Sequence, residues 1–281
     1  MNASEAVLAL AAAMRAIRLI GAATPANAEA ETERLATALA AGRPALPRWS
    51  YRRLDLGDAP EALAHLARVF RRDREPLAHL YSARIEELRL EAAMVEVIGT
   101  PELGALAALR FRETPRAARA ADATAAAWAA MPCAADDETI PSDAPDPRSL
   151  LSQLRAGIGR CRAPFAVRVA PSLGSAAATG ERTVYVAPGR ALTEQAARRI
   201  ALHEIEGHVL PRVRAAEHPP IFSLGTARGT DDQEGLAILF EERAGLLGPK
   251  RRVELARRHV AARAMQSGAD FVEVLRGLVA L

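Results

Sequence analysis

Two histidines and a glutamate lie close together in one short stretch of the sequence and could bind a metal ion. Residues 200–210 read Ile-Ala-Leu-His-Glu-Ile-Glu-Gly-His-Val-Leu, with Glu204 directly after His203 and His208 five residues beyond that first histidine. Imidazole is a common zinc ligand, and a glutamate beside a ligating histidine in a helix can act as a general base. These residue types indicate metal-assisted hydrolysis.

The spacing of the two histidines makes a structural demand on their helix. A four-residue spacing puts two side chains on one helical face, about 40° apart at roughly 100° per residue. The five-residue spacing of His203 and His208 would place them about 140° apart in a regular α-helix. A π-type turn absorbs the extra residue, and Gly207 is the residue that makes such a turn least costly. The sequence therefore predicts a π-bulge between the histidines.

A third ligand is predicted downstream, in the segment 230–237, which reads Thr-Asp-Asp-Gln-Glu-Gly-Leu-Ala. Catalytic zinc takes three protein ligands and keeps one coordination position open. We expect Asp231 or Asp232 to cap a helix that runs antiparallel to the histidine helix and has Glu234 in its first turn. The two histidines and Glu234 are then the predicted zinc ligands, with Glu204 as general base.

Other polar residues are candidates for completing the site. A carboxylate usually orients the free nitrogen of a ligating histidine, and Glu241 and Glu242 are the candidates for that role. Hydrolysis of a peptide bond also needs a donor for the developing oxyanion besides the metal ion. Three candidates for that donor stay open: Tyr185, His218 and Arg228.

Two of these residues are also predicted to bind substrate. Arg228 lies in the loop before Glu234 and could hold a substrate carboxylate through two parallel hydrogen bonds, as a carboxypeptidase requires. An extended peptide would lie along the strand around Tyr185 or along the segment 175–179. Arg228 and Tyr185 are therefore the predicted substrate-binding residues.

The elements that position these residues follow from periodicity. Residues 1–130 are predicted as successive helices, 131–148 as a connector rich in aspartate and proline, and 149–281 as the catalytic part, forming one compact unit with the helices. Alternating apolar residues between 165 and 186 predict two or three short strands. Thr193 is expected to cap the histidine helix. The predicted fold is α+β, a mostly helical zincin of the gluzincin type with a small β-sheet beside that helix.

Composition and charge narrow the functional class. The chain has 281 residues, of which 50% are hydrophobic and 25% charged, as in ordinary soluble globular proteins. The net charge is only +3 and the arginines are scattered, which argues against a nucleic-acid partner. Cys133 and Cys161 are too few for a disulfide framework or a cysteine-based zinc site. The apolar run 7–14 has no preceding positive charge and is too short to span a bilayer. A cytoplasmic protein without a membrane partner is expected.

The second motif carries a family resemblance. The string Gln233–Ala237 resembles the QEGLA signature of the bacterial flavohaemoglobin expression-modulating proteins, which are similar to the eukaryotic microtubule-associated tyrosine carboxypeptidases. That group pairs a five-spaced His-Glu-x-x-x-His helix with a Glu-Gly-Leu-Ala helix, and both motifs occur here. Trp49–Tyr51 and the helices that follow resemble the family's N-terminal part. The resemblance implies a zinc metallopeptidase fold and removal of a C-terminal residue.

The leading prediction is a zinc carboxypeptidase that acts on the C-terminal tail of a peptide or protein. One alternative is a metallo-endopeptidase or amide hydrolase with the same four residues, which a dedicated carboxylate-binding arginine would distinguish. The other is a non-catalytic regulatory protein that keeps the metal for structure. Glu204 argues against the last, because a structural site has no use for a base and normally has four protein ligands.

Overall fold

A computed structural model describes residues 3–72, 74–133, 138–171 and 173–279. The helices are α1 (Ala3–Ala16), α2 (Leu19–Ala23), α3 (Ala28–Ala40), α4 (Ala59–Phe70), α5 (Ala78–Glu96), α6 (Glu102–Arg110), α7 (Pro115–Ala129), α8 (Leu150–Cys161), α9 (Glu194–Leu202), α10 (Leu210–Ala215), α11 (Pro220–Leu224), α12 (Gly229–Arg243), α13 (Pro249–Gln266) and α14 (Phe271–Val279). A π-helix, His203–Val209, joins α9 to α10. The strands are β1 (Thr139–Pro141), β2 (Ala166–Val169), β3 (Ala177–Thr179), β4 (Thr183–Val186) and β5 (Ala191–Thr193). This content agrees with the predicted α+β class.

The chain forms two compact units. Residues up to Met131 and those from Arg252 onward form the first unit, and Pro132–Arg251 form the second. The sequence had instead grouped the last thirty or so residues with the catalytic part. The predicted connector, 131–148, contributes β1 to the second unit, and its residues 134–137 lie outside the described part of the chain. The boundaries of independently folding domains stay a prediction.

The first unit is a set of packed helices. Helix α4 contacts α1 and α5, and α5 also contacts α2 and α6. Its core includes the fully buried side chains of Leu10, Leu63, Leu66 and Ile85. Helix α4 starts at a sequence signal, since Asp58 occupies the N-cap position and a proline follows in the first turn.

One apolar stretch near the N-terminus bears on the question of a membrane. Among the described residues, Glu5–Ala40 is long and apolar enough to cross a bilayer by length and composition, which is weak evidence because core helices and secretion signals pass the same test. The stretch is divided among α1, α2 and α3. Ala6, Leu10 and Ala13 of α1 are buried, and α1 packs against α4. The apolar side of α1 thus contributes to the core of the first unit.

The second unit contains the predicted small sheet. Its three strands have the order β2-β4-β3, with β2 and β4 parallel and β3 and β4 antiparallel. Val184 and Val186 of β4 are fully buried in a core shared with α8, α9 and the π-helix, which includes Leu154 and Ile205. Side chains alternate between the faces of a strand, so Tyr185, between these valines, lies on the opposite face. A separate antiparallel pair, β1 with β5, leads into α9.

Candidate metal centre

The helix that carries the two histidines changes its winding where they lie. Thr193 caps α9 through its side chain, which accepts a hydrogen bond from the backbone N–H of Ala196 at 3.1 Å, so the predicted cap is confirmed. The π-helix then runs from His203 to Val209, before α10 continues the helix. The predicted π-bulge is confirmed and extends over seven residues. The wider winding brings the centroids of the rings of His203 and His208 to 5.3 Å from each other.

The glycine in the π-helix has a role that the sequence did not reveal. A Cβ atom on Gly207 would lie 2.5 Å from the Cβ of Ala237 on α12. Only a residue without a side chain lets the two helices approach this closely. Gly207 was expected only to ease the π-turn. A Cβ on Gly235, the glycine of the second motif, would meet no atom within 4 Å. The close contact therefore belongs to Gly207, and it fixes α12 against the π-helix.

Helix α12 begins earlier than the sequence suggested. Arg228, in a left-handed conformation with φ of 58°, occupies the N-cap position. Asp231 and Asp232 therefore lie within the first turn and do not cap the helix. Their negative charges interact favourably with the positive N-terminal end of the helix dipole. Glu234 consequently lies in the second turn, next to the π-helix, since α12 and the π-helix are in contact along their lengths.

Three predicted ligands converge in the structure. The Nε2 atoms of His203 and His208 each lie 3.3 Å from a carboxylate oxygen of Glu234. One potential ligand atom from each of the three residues lies within 4.8 Å of the others. Both histidine side chains are largely buried, whereas that of Glu234 is 54% exposed. The cluster therefore opens to solvent on the glutamate side, where a substrate can enter.

A buried carboxylate fixes the orientation of the first histidine. The Nδ1 atom of His203 lies 2.7 Å from Oε1 of Glu241, whose side chain is fully buried. Arg199 donates a hydrogen bond to the same oxygen at 3.2 Å. With Nδ1 donating to Glu241, Nε2 of His203 is the nitrogen that faces Glu234 and His208. Of the two carboxylates considered from the sequence, Glu241 has this position and Glu242 is exposed.

The charges in the cluster shift the titration of its members. Burial lowers the pKa of His203, but hydrogen bonds with Glu234 and Glu241 outweigh it and raise this pKa to about 9. Hydrogen bonds from His203 and His208 lower the pKa of Glu234. Burial raises the pKa of Glu241, but His203 and the neighbouring arginines lower it below its usual range. These shifts show that the acidic groups of the cluster stabilise a positive charge on or next to the imidazole of His203.

The predicted base is held by a residue that the sequence did not single out. Glu204 is buried, with 6% of its surface exposed. Its Oε2 atom accepts a hydrogen bond from the hydroxyl of Thr179 at 2.6 Å. Thr179 is the last residue of β3, which contacts the π-helix. No local sequence signal marks Thr179, because its partner lies 25 residues away and only the fold brings them together.

The other candidate residues are placed differently. Tyr185 lies on the face of the sheet that points away from the core and the π-helix, so the structure does not bring it to the histidines. Arg228, at the start of α12, has a side chain that is 56% exposed and an Nε atom 3.9 Å from Asp231. His218 is exposed and contacts the ring of Phe222 edge-on. The contacts described here do not join these three residues to the cluster.

A comparison with models of protein families identifies the family of the chain. The family model described as microtubule-associated tyrosine carboxypeptidase matches residues 37–280, which is most of the chain. The chain belongs to the microtubule-associated tyrosine carboxypeptidase family. The resemblance inferred from the two motifs is thereby confirmed, and membership implies an activity of the carboxypeptidase type. Searches of curated proteins and of solved structures gave no match.

The family match covers both compact units. It includes every residue of the His203, His208 and Glu234 cluster together with Glu204 and Thr179. It also covers most of the first unit, and it leaves out α1, α2 and most of α3. The match to the tyrosine carboxypeptidase family therefore extends well beyond the two motifs that carry the histidines and Glu234.

One edge of the sheet is available beside the cluster. Strand β4 is central, so the strand around Tyr185 is not an edge, whereas β3, within the segment 175–179, is one. The N–H of Gly180 donates to the carbonyl of Thr183 at 2.7 Å, which directs the backbone of Gly180 toward β4. Because backbone groups alternate in direction along an antiparallel strand, those of Thr179 point away from β4. Among the described residues of this tyrosine carboxypeptidase relative, no further strand pairs with the edge next to the predicted base.

Proposed function

We propose that the protein is a zinc metallopeptidase with a gluzincin-type fold that removes the C-terminal residue from a peptide or protein. The observation that carries the proposal is the convergence of His203, His208 and Glu234, with their ligand atoms within 4.8 Å of one another. Glu204 lies between the two histidines in the chain and is buried beside them. The family membership supplies the carboxypeptidase class.

The donor set fits zinc. Two imidazoles and one carboxylate form a catalytic zinc site that leaves one position open, as in other zinc peptidases. The contact of His203 with Glu241 is the outer interaction that usually orients a ligating histidine. Nε2 of each histidine faces the same carboxylate of Glu234 at 3.3 Å, so the three donors are already directed at one place. A bound zinc ion would supply Lewis acidity toward the scissile carbonyl and lower the pKa of water toward about 7.

The remaining steps belong to the residues of the chain. Glu204 takes a proton from the water that attacks the scissile carbonyl carbon and then delivers that proton to the leaving nitrogen as the C–N bond breaks. The products are a shortened chain with a new carboxylate and a free amino acid. Thr179 holds one oxygen of Glu204 in place, which leaves the other to exchange the proton. Fixing the carboxylate in this way reduces the reorganisation needed at the moment of reaction.

The substrate proposed is an extended peptide tail with a free carboxylate. Strand β3 offers the backbone groups of Thr179 at an edge, and peptides commonly add to such an edge as a further strand. The family description names tyrosine, so a C-terminal tyrosine is the first residue to test. A metallo-endopeptidase or amide hydrolase with the same site remains the alternative. The cytoplasmic location remains a prediction from the N-terminal sequence.

Metal content and peptide turnover, measured on the wild type beside Glu204→Gln, test the proposal. We expect about one zinc per chain in both proteins, with trimming of a peptide library from the C-terminus by the wild type alone. Mass spectrometry of the products separates removal of one residue from internal cleavage, which would favour the endopeptidase. Absence of zinc from the wild type would contradict the central claim. Zinc in both proteins without cleavage would favour a regulatory protein.

A further inference from the structure

An arginine that the sequence did not mark lies next to the edge strand. Arg212, on α10, donates a hydrogen bond from Nη1 to the carbonyl oxygen of Gly180 at 3.0 Å. Gly180 directly follows Thr179, whose hydroxyl is bonded to the carboxylate of Glu204. The guanidinium of Arg212 therefore contacts the residue next in the chain to Thr179, which holds the proposed base Glu204.

The position of Arg212 in the helix also directs it toward the site. It lies four residues after His208, and side chains four residues apart in a helix point to the same side. Helix α10 continues the π-helix without a break, so the side of the helix that carries His208 continues to Arg212. Arg214, two residues further on, is exposed and points in another direction around the same helix.

The surroundings of Arg212 suit an anion. The residue is exposed to solvent, and burial of part of its side chain lowers its pKa. In the described part of the chain, no carboxylate lies within 4.0 Å of its guanidinium, and the acidic group that influences it electrostatically is Glu181. Arg199, by contrast, is hydrogen-bonded to Glu241. Most of the five N–H donors of Arg212 are therefore left for a ligand.

We propose that Arg212, rather than Arg228, binds the terminal carboxylate of the substrate. In an extended peptide the chain advances by at most about 3.3–3.6 Å per residue, so the terminal carboxylate lies about one residue beyond the bond that a carboxypeptidase cuts. The step from Thr179, beside the proposed base, to Gly180, beside Arg212, has this length. Guanidinium binds a carboxylate through two parallel hydrogen bonds, which fixes both its position and its orientation.

This assignment rests on the proposed function and explains the choice of a terminal bond. A peptide with a free carboxylate at Arg212 places its last peptide bond at Glu204. A peptide whose chain continues cannot make the same interaction, because its carboxylate is absent at that point. Arg212 is in this way a specificity-determining residue that distinguishes a carboxypeptidase from an endopeptidase with the same four residues.

Equilibrium binding to an inactive protein tests the assignment without relying on turnover. The probe is a fluorescein-labelled hexapeptide ending in tyrosine, prepared as the free acid and as the C-terminal amide, and the protein is zinc-loaded Glu204→Gln. We expect the free acid to bind at least about tenfold more tightly than the amide, because the carboxylate makes charge-assisted hydrogen bonds. Adding Arg212→Gln should reduce this preference to about one, with the affinity for the amide unchanged.

Two further substitutions in the same background sharpen the result. Arg214→Gln, which removes an equal charge from the same helix, should keep the full preference for the free acid. Arg212→Lys should keep only part of it, because lysine retains the charge without the paired donors. Zinc content and melting temperature, compared among all variants, show whether each is folded.

The outcomes separate this assignment from the proposed function. An equal affinity of Glu204→Gln for the acid and the amide would overturn the assignment, as would a preference that Arg212→Gln leaves intact. Loss of the preference in Arg228→Gln instead would transfer the role to that residue. A preference that depends on Arg212 in a protein whose wild type trims no peptide would support the carboxylate site and contradict the hydrolase.

Discussion

Each of the two compact units contains a buried carboxylate surrounded by basic side chains, and the two clusters differ in what they leave open. In the first unit, Glu87 contacts Arg84 and lies 3.1 Å from Arg110, which also binds Glu91 at 2.9 Å. These four side chains are at most 12% exposed. Each of these four charges faces an opposite charge in the cluster, which joins α5 to α6 and is shielded from solvent.

The cluster around Glu241 in the second unit has the same kind of buried acid and a different neighbour. Oε1 of Glu241 accepts hydrogen bonds from both Arg199 and His203. The imidazole has a second nitrogen on the far side of the ring, and this one points to Glu234, which is 54% exposed. The comparison shows how a buried ion pair can become part of a site. Glu241 orients the ring of His203, and the other nitrogen of that ring faces a group that solvent can reach.

The largest effect is expected in the closed cluster and concerns stability alone. Glu87→Ala leaves Arg84 and Arg110 without their shared partner, and removing one member of a buried ion pair typically costs about 3–5 kcal/mol. The free energy of unfolding, measured by urea denaturation, should fall by about that amount, whereas the affinity for zinc should stay within twofold. Glu86→Ala, at an exposed position on the same helix, is the control. A large change in the zinc affinity of Glu87→Ala would contradict the proposal that the Glu87 cluster acts on stability alone.

Substitution of the acid in the open cluster should act on the metal. Glu241→Gln removes the charge that orients His203, and loss of such an outer partner typically reduces metal affinity about 10–100-fold. Competition with a chromophoric chelator measures this affinity directly. Glu242→Gln, the exposed neighbour on α12, should bind zinc as the wild type does. An affinity within twofold of the wild type in Glu241→Gln would show that the contact with His203 does not orient it for a metal ion.

The hydroxyl that holds the proposed base should affect turnover and leave the metal in place. Thr179→Val keeps the shape of the side chain and removes the donor to Glu204. A hydrogen bond to a charged group is worth about 1.5–3 kcal/mol, so kcat should fall by at least about tenfold, with KM and zinc content little changed. Thr179→Ser should restore most of kcat. Failure of serine to rescue, or an equal rise in KM, would indicate that Thr179 acts through packing.

Local patterns in the sequence predicted much of the second unit. The five-residue spacing demanded a π-turn, Thr193 was recognised as a cap from residue type and position, and alternation marked β2 and β4. Each of these inferences depends on residues within about one helical turn or one strand of each other, where geometry is fixed by short-range sterics. Glu234 was singled out as well, because its motif is as local as the histidine motif, and its role as a ligand stays a prediction.

Contacts between distant segments were beyond the reach of the sequence. The strand β1 pairs with β5 although about fifty residues separate them, and Thr179 meets Glu204 across the sheet and the π-helix. Gly207 was noticed for its backbone freedom, yet its role comes from Ala237 on another helix. Arg212 had no distinguishing neighbour in the sequence. Such contacts follow from how elements pack, which no pattern along a single segment encodes.

The smallest effect is expected from a third carboxylate, Glu31 on α3 of the first unit, whose side chain is nearly buried but whose partner Arg34 is 34% exposed. A hydrogen bond from Arg34, together with one from the backbone N–H of Arg48, lowers its pKa to about 2 against an ordinary 4.5, although its partial desolvation raises it. Because the pKa is lower in the folded protein, the ionised carboxylate stabilises the fold above pH 4.5, and this contribution is lost as the pH falls toward 2.

Glu31→Gln should therefore lower stability at pH 7 and flatten the dependence of stability on pH between about 4.5 and 2. The urea midpoint is measured at several pH values on protein stripped of metal, so that release of zinc in acid does not enter the comparison. Glu33→Gln, an exposed neighbour on the same helix, should keep the slope of the wild type. An unchanged slope in Glu31→Gln would mean that Arg34 and the backbone N–H of Arg48 hold the carboxylate no better than water does, and that a carboxylate paired with a partly exposed arginine is not coupled to folding.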